Sequence, residues 1–309
     1  YYLIDLGWRL GFADSPAAWN ACGRPKFLCP APGYDRHFRV TEYFGFELIT
    51  VPMLPTGPDM DCVEALVKDE AVKGIWCVPL YSNPDGYSYS DETVRRLAAM
   101  KTAAPDFKIM WDNAYCVHHL TDTHDVILNM LEECRKAGHE DRALMFCSLS
   151  KVTFPGAGVA AMAASRRNID YILKNMFPMI ISFDKLNQVR HIRFLKDMDG
   201  LAAHMEKHRA LLEPKFRAVL AILDEGLSGC GSIARWTKPN GGYFLSLYTL
   251  GGCAKRTVQL CREAGVVLTD AGAAYPYGVD PQDSNIRIAP TFPPLDELET
   301  ASRLLCVCV

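Results

Sequence analysis

Four short apolar runs mark the first half of the chain: FELITVPM (46–53), KGIWCVPL (73–80), KIMWDNAY (108–115) and ALMFCSLS (143–150). Each is bounded by turn formers and lacks polar alternation, as strands buried on both faces of a parallel sheet do. Helical patterns lie between them. SDETVRRLAAM (90–100) opens on Ser90 as a predicted N-cap, with Asp91 and Glu92 in the first turn. DVILNMLEECRKAG (125–138) has helical apolar spacing and ends on a glycine. Strand–helix alternation predicts an α/β fold with right-handed crossovers. Beyond about residue 198 the texture changes. A long helical pattern, DGLAAHMEKHRALLEPKFRAVLAILDEG (199–226), contains Pro214 as an expected kink or break. Short strands follow in SIARWTKPNGGYFLSLYTL, VVLTD and NIRIAP. The expected division is a large domain over 1–197 and a smaller α/β domain over 198–309. The first residues read as uncapped helix interior and LETASRLLCVCV stops within a helical pattern. Both ends are therefore expected to be cut, with part of the large domain missing at the N-terminus.

Composition narrows the function classes. The 309 residues are 49% hydrophobic and 22% charged, the balance of a folded chain with a sizeable core. Thirty-three basic and 36 acidic side chains leave a net charge of -3, so no nucleic-acid footprint is expected. No apolar run approaches the roughly 20 residues of a membrane helix. No basic segment followed by an apolar one opens the chain as a signal peptide would. Twelve cysteines form no CxxC and no zinc-finger spacing, and most sit in apolar stretches. They read as small buried hydrophobes of a reducing cytosol rather than as a disulfide framework, and the expected location is cytoplasmic.

Three strand ends carry the candidate chemistry. In SLSKVTFPGAG (148–158), Lys151 follows a buried strand. Desolvation there would lower its pKa and make the amine a nucleophile toward a carbonyl, with Ser148 and Ser150 as anion donors. A solvated lysine in a serine-rich turn fits the same residues. Asp112 ends an apolar strand, where open α/β sheets place ligands, with Tyr115 three residues on. It reads as a partner for a heterocyclic nitrogen or as a helix-capping aspartate. Asn83 opens NPDG, which by itself is a turn.

The order Asn83, Asp112, Lys151, each about one strand–helix unit apart, resembles the aspartate-aminotransferase fold of pyridoxal-phosphate (PLP) enzymes, fold type I. NPDG, DNAY and SLSK match that family's three signatures, and KPNGGYFLSL (238–247) and NIRIAP (285–290) agree. FLCPAPGYDRHF, DKLNQVRHIRFLKD and IRIAPTFP look like its MocR-like subgroup, which includes bacterial aspartate aminotransferases. The resemblance implies a large domain with a mostly parallel seven-stranded sheet, a smaller C-terminal α/β domain, and a homodimer with its active site at the interface. It implies ping-pong transfer of an amino group between an L-amino acid, aspartate or glutamate, and 2-oxoglutarate or oxaloacetate. Lys151 would form the Schiff base with the cofactor and then carry the substrate proton. Asp112 would pair with the ring nitrogen, and Tyr115 and Asn83 would donate to the ring oxygen. Tyr34 would stack on the ring. Ser148 and Ser150 would help hold the phosphate. Arg287 would clamp the substrate α-carboxylate beside Asn83, with Asp280 or Asp283 as its alternative, purely structural partners.

The stretch after Lys151 departs from the pattern. Gly158 stands where many members have a phosphate-binding arginine, and Lys185 is a weak candidate to supply the charge. The glycine-led helix that usually cradles the phosphate is expected in the missing N-terminal segment. The i, i+4 pair His204 and His208 reads as an exposed helix face. His118, His119 and His124 read as loop histidines, and Gly241-Gly242 as a bend beside a strand. Arg36, His37, Arg190 and Arg193 could read a distal carboxylate or form structural ion pairs. Two other functions compete: a PLP-dependent lyase or decarboxylase on the same fold, and a non-catalytic effector-binding domain of a MocR-type regulator.

Overall fold

The computed structural model describes residues 1–309. A seven-stranded sheet is built from β1 (Lys26–Ala31), β2 (Glu47–Leu54), β3 (Gly57–Pro58), β4 (Val72–Cys77), β5 (Lys108–Asp112), β6 (Ala143–Ser148) and β7 (Ala160–Ala163), in the order β3-β2-β1-β4-β5-β6-β7. The five inner strands run parallel, and the edge strands β3 and β7 are antiparallel to their neighbours. Helices α1 (Tyr2–Arg9), α2 (Asp35–Tyr43), α3 (Met60–Leu66), α4 (Asp91–Ala99), α5 (Met130–Lys136), α6 (Arg166–Met176) and α7 (Lys185–Leu195) accompany this sheet in the chain. Side-chain alternation along each strand feeds two cores. Ile75, Cys77, Ile109 and Trp111 enter one, while Trp76, Met110 and Leu144 enter the other. The chain proceeds from β1 outward to β2 and β3, then returns to the other side of β1 as β4. The crevice outside the carboxyl ends of β1 and β4 is therefore the switch point at which such sheets bind ligands.

The four predicted strands are β2, β4, β5 and β6, and Ser90 caps α4 by accepting from the Thr93 amide. β1 is a strand beyond the four predicted, and it carries Pro30. Its ladder with β4 ends at Leu28, so Pro30 lies beyond that ladder while still in register with Val51 of β2. The predicted helix over 125–138 shrinks to α5. Asp125 is drawn away from helical geometry by its neighbours: its carboxylate accepts from Ser88 and Asn240, and its amide donates to the Tyr81 hydroxyl. Asn129 caps the helix instead.

A second, antiparallel sheet has the order β10-β9-β8, from β8 (Ala234–Trp236), β9 (Leu245–Thr249) and β10 (Asn285–Ile288). It packs with α8 (Met198–Leu227), α9 (Ala254–Glu263) and α10 (Leu295–Cys308) around Phe216, Leu223, Leu247, Ile286 and Leu305. Pro214 neither breaks nor ends α8, which runs 30 residues unbroken. Proline removes one amide donor, and the turns on either side are held by burial of Met205, Phe216 and Val219. Residues 266–270 (VVLTD), expected as a strand, join no ladder. All twelve cysteines are free, but only Cys29, Cys77, Cys134 and Cys261 are buried, so the reading of most as core residues is too broad. No helix is long and apolar enough to cross a membrane.

Candidate active site

The carboxyl ends of β1, β4, β5 and β6 place their following turns around one crevice, which Arg287 of the second sheet closes. Tyr34 follows β1, Asn83 follows β4, Asp112 ends β5 with Tyr115 beyond it, and Ser148 ends β6 with Ser150 and Lys151 beyond it. Residues distant in the chain meet because a parallel sheet aligns all its strand ends on one edge.

Lys151 is half-buried, and its Nζ takes part in no hydrogen bond or ion pair. It lies 5.0 Å from the Tyr115 ring centroid and 6.0 Å from that of Tyr34. Burial lowers its pKa, and the Asp112 carboxylate opposes that shift. The Lys151 backbone is fixed from two sides. Its carbonyl accepts from the Tyr243 hydroxyl at 2.8 Å and lies 3.3 Å from His118 Nε2. The neighbouring Val152 carbonyl lies 2.8 Å from His204 Nε2, and the Thr153 hydroxyl lies 2.7 Å from His191 Nε2. His204 is thus a half-buried contact of this turn and not the exposed helix face expected of it. His118 is buried rather than a solvated loop residue, and burial pushes its pKa down to about 4.

Asp112 Oδ2 lies 3.0 Å from His37 Nε2. His37 is itself stacked on Trp76, with centroids 4.3 Å apart and planes 10° apart. This makes His37, in the first turn of α2, a partner of Asp112 rather than a reader of a distal carboxylate. Arg36, Arg190 and Arg193 remain exposed. Tyr115 is buried, and desolvation followed by the Asp112 charge raises its hydroxyl pKa. The hydroxyls of Ser148 and Ser150 lie 2.7 Å apart. Asp112 and Ser148 also edge a mostly apolar cavity of about 500 Å³ lined by Phe146, Met162 and Ile172.

Gly158 packs tightly: a Cβ there would lie 2.9 Å from the Ser150 amide nitrogen. An arginine at this position would have to displace the serine turn. Lys185 is exposed in the first turn of α7 and forms no ion pair.

Arg287 is mostly buried. Its guanidinium donates to Asp35 Oδ1 at 3.3 Å and Asn83 Oδ1 at 3.4 Å, while its Nε is buried without a partner. The structural alternatives offered by the sequence are therefore wrong. Asp280 is occupied by the amides of Gln282, Ser284 and Asn285, and Asp283 by that of Lys255. Asp35, in the first turn of α2, was missed because nothing in the sequence brings it beside residue 287.

The geometry has close parallels among known proteins. The family model for aspartate amino-transferases matches residues 1–309. A Mycolicibacterium smegmatis protein described as a candidate aminotransferase is 52% identical over 96% of this chain and 70% of its own length. An aspartate aminotransferase of Corynebacterium glutamicum is 46% identical over 99% of this chain and 71% of its own. The crystal structure of an aspartate transaminase from Corynebacterium glutamicum superposes with a TM-score of 0.98 at 45% identity, over 100% of this chain and 72% of that one. On the match along all 309 residues and these similarities across nearly the whole of this chain, it belongs to the aspartate amino-transferase family and is an aminotransferase of the type I fold.

Proposed function

We propose that this aminotransferase moves the amino group of aspartate or glutamate to a 2-oxo acid, oxaloacetate or 2-oxoglutarate, using pyridoxal phosphate held covalently by Lys151. The observation that carries the reading is Lys151 itself: a half-buried, unpartnered amine beside Tyr34, Tyr115 and Asp112, its pKa lowered by burial. The residues present fit the cofactor and its substrate, because groups that would hold each of them lie together at the strand ends without strong partners elsewhere. Lys151 Nζ is free, Arg287 Nε is buried and orphaned, and the hydroxyls of Ser148 and Ser150 face each other.

When bound, pyridoxal phosphate supplies an electron-poor ring that accepts the electron pair released as the substrate Cα loses its proton. Asp112, steadied by His37, would hold a proton on the ring nitrogen. Tyr115 and Asn83 would donate to the ring oxygen, and Tyr34 would pack on the ring. Ser148 and Ser150 would help hold the phosphate, without a cation at position 158. Once the substrate amine has displaced it, Lys151 Nζ would take the proton from the substrate Cα and deliver it to the cofactor's C4′, a role that a lowered pKa favours. Arg287 turns from Asp35 and Asn83 to the substrate α-carboxylate, where a planar fork fits two oxygens. Burial of Tyr115 and partial burial of Lys151 would limit water at the reacting atoms. The name of the Corynebacterium relative supports aspartate as substrate. Division of the chain at 197/198 belongs to the same proposal, with the C-terminal part closing Arg287 onto the site.

Borohydride reduction of the PLP-loaded protein, followed by peptide mapping, should place the pyridoxyl group on Lys151. Label on another lysine would overturn the assignment.

A further inference from the structure

Asp85, the third residue of NPDG, is 1% exposed, yet the mechanism above gives it no task. The Tyr248 hydroxyl donates to its Oδ1 at 2.7 Å, while Oδ2 is buried with no partner. A buried carboxylate held this way is costly unless the position matters. Its surroundings belong largely to the second sheet. Ser246 and Tyr248 are two apart on β9 and so share a face, and Arg287 lies in register across from Ser246. That one face therefore presents Arg287 to Asn83 and Tyr248 to Asp85. Tyr243 and Phe244 pack against the cluster that holds Tyr81, and glycines bring the two backbones close. A Cβ on Gly86 would collide with Pro239, and Cβ atoms on Gly241 and Gly242 would collide with Tyr81.

The two anchors differ in kind. The Asn83–Arg287 contact is long, at 3.4 Å, and by the reading above Arg287 leaves it for the substrate carboxylate. The Asp85–Tyr248 bond is short and involves no group that touches substrate. We propose that Asp85 is a positioning residue that, through Tyr248, keeps the Asn83 turn in register with strand β9 while Arg287 exchanges Asp35 and Asn83 for the substrate carboxylate. This rests on the function proposed for Arg287 and deepens it.

The charged and titratable groups around Asp85 are Arg235, whose guanidinium lies 3.7 Å from the Tyr248 ring centroid, and Tyr87, Tyr248 and Tyr275, with Asp280 facing Tyr275. Burial pushes the Asp85 carboxyl up to about 6, against the opposing pull of Ser246, Tyr248 and Arg235. An acid whose folded pKa is raised takes up protons on folding between about pH 4 and 6. Its contribution to stability is present below that window and lost as pH rises through it.

Asp85→Asn keeps an acceptor for Tyr248 and removes the charge, whereas Asp85→Ala and Tyr248→Phe each remove the bond. In PLP-loaded protein, Asp85→Ala and Tyr248→Phe should lower kcat/KM at least tenfold, chiefly by raising KM for the amino acid. Hydrogen exchange of the 82–88 amides should quicken in both, with or without cofactor. Asp85→Asn should stay within threefold of the parent in both readouts, and its gain in Tm at pH 7.5 should vanish by pH 4.5. Parent-like kcat/KM and exchange in folded Asp85→Ala and Tyr248→Phe would overturn the proposal. So would loss of activity in Asp85→Asn equal to that in Asp85→Ala. Borohydride labelling in parallel separates the two readings: if the parent fails to label at Lys151, the proposed function falls, whereas the exchange result in cofactor-free protein bears on Asp85 alone.

Discussion

Arg287 is a charged side chain in a strand whose neighbours Ile286 and Ile288 are buried in the core of the second unit. Its present partners are at 3.3 and 3.4 Å, at the long end for charge-assisted bonds, and its Nε has none. It is thus poised for a better partner, and a bidentate carboxylate is the group that satisfies a planar fork. Arg287→Lys should raise KM for amino and oxo acids alike by about 100-fold, the equivalent of roughly 3 kcal/mol for such a pair. A primary amine without a carboxylate should react almost as before. Steady-state kinetics on both substrate types check this, and equal losses would show that Arg287 serves folding instead.

At the scale of elements, the turn after β6 matters most. Its serines, Lys151 and Gly158 lie within one short loop, and the loop is gripped by His118, Tyr243, His204 and His191 from elsewhere in the chain. Such a loop has little freedom to admit a new side chain. Gly158→Arg would restore the residue common in the wider family, yet its Cβ would meet the Ser150 amide nitrogen at 2.9 Å. We expect the variant to bind pyridoxal phosphate at least tenfold more weakly, measured by cofactor titration. Tighter binding would mean that the loop yields and that the guanidinium reaches the phosphate. The strands were legible from the sequence because apolar runs of this length have one good use in an α/β fold. Strand β1 was not: it carries Pro30, and only the ladder shows where the missing donor falls.

For the whole molecule, two buried groups pull stability in opposite directions as pH changes. His118 is the counterpart of Asp85. Its folded pKa, pushed down to about 4 by burial, lies below the ordinary 6.5, so the unfolded chain binds its proton first. Stability from this site is present above pH 6.5 and is lost as pH falls toward 4, by up to about 3 kcal/mol across the window. His118→Asn should flatten the acid side of the stability–pH curve in denaturant titrations, and an unchanged slope would contradict the burial argument. The surface carries a second large-scale expectation. Phe177, Ile181, Phe183, Leu186, Phe194 and Met198 are all exposed between the end of α6 and the start of α8, a concentration of exposed apolar side chains along one segment. It fits the homodimer that the family resemblance implies, and sedimentation at micromolar concentration should then give twice the 34.4 kDa of one chain. A monomer would reject that expectation.

The sequence alone determined the layered α/β plan and the three strand-end motifs, because apolar periodicity and turn chemistry are local properties. It also determined that position 158 has no cation. It could not determine which side chains meet. The pairing of His37 with Asp112, of Asp35 with Arg287 and of Asp85 with Tyr248 spans 75, 252 and 163 residues. No local pattern encodes contacts of that range. They exist because parallel strands bring their ends to one edge and a second sheet packs across it. The same packing placed His204 against the loop after Lys151 and buried His118. Local reading assigned both to solvent, because burial is a property of the assembled layers and not of any one segment.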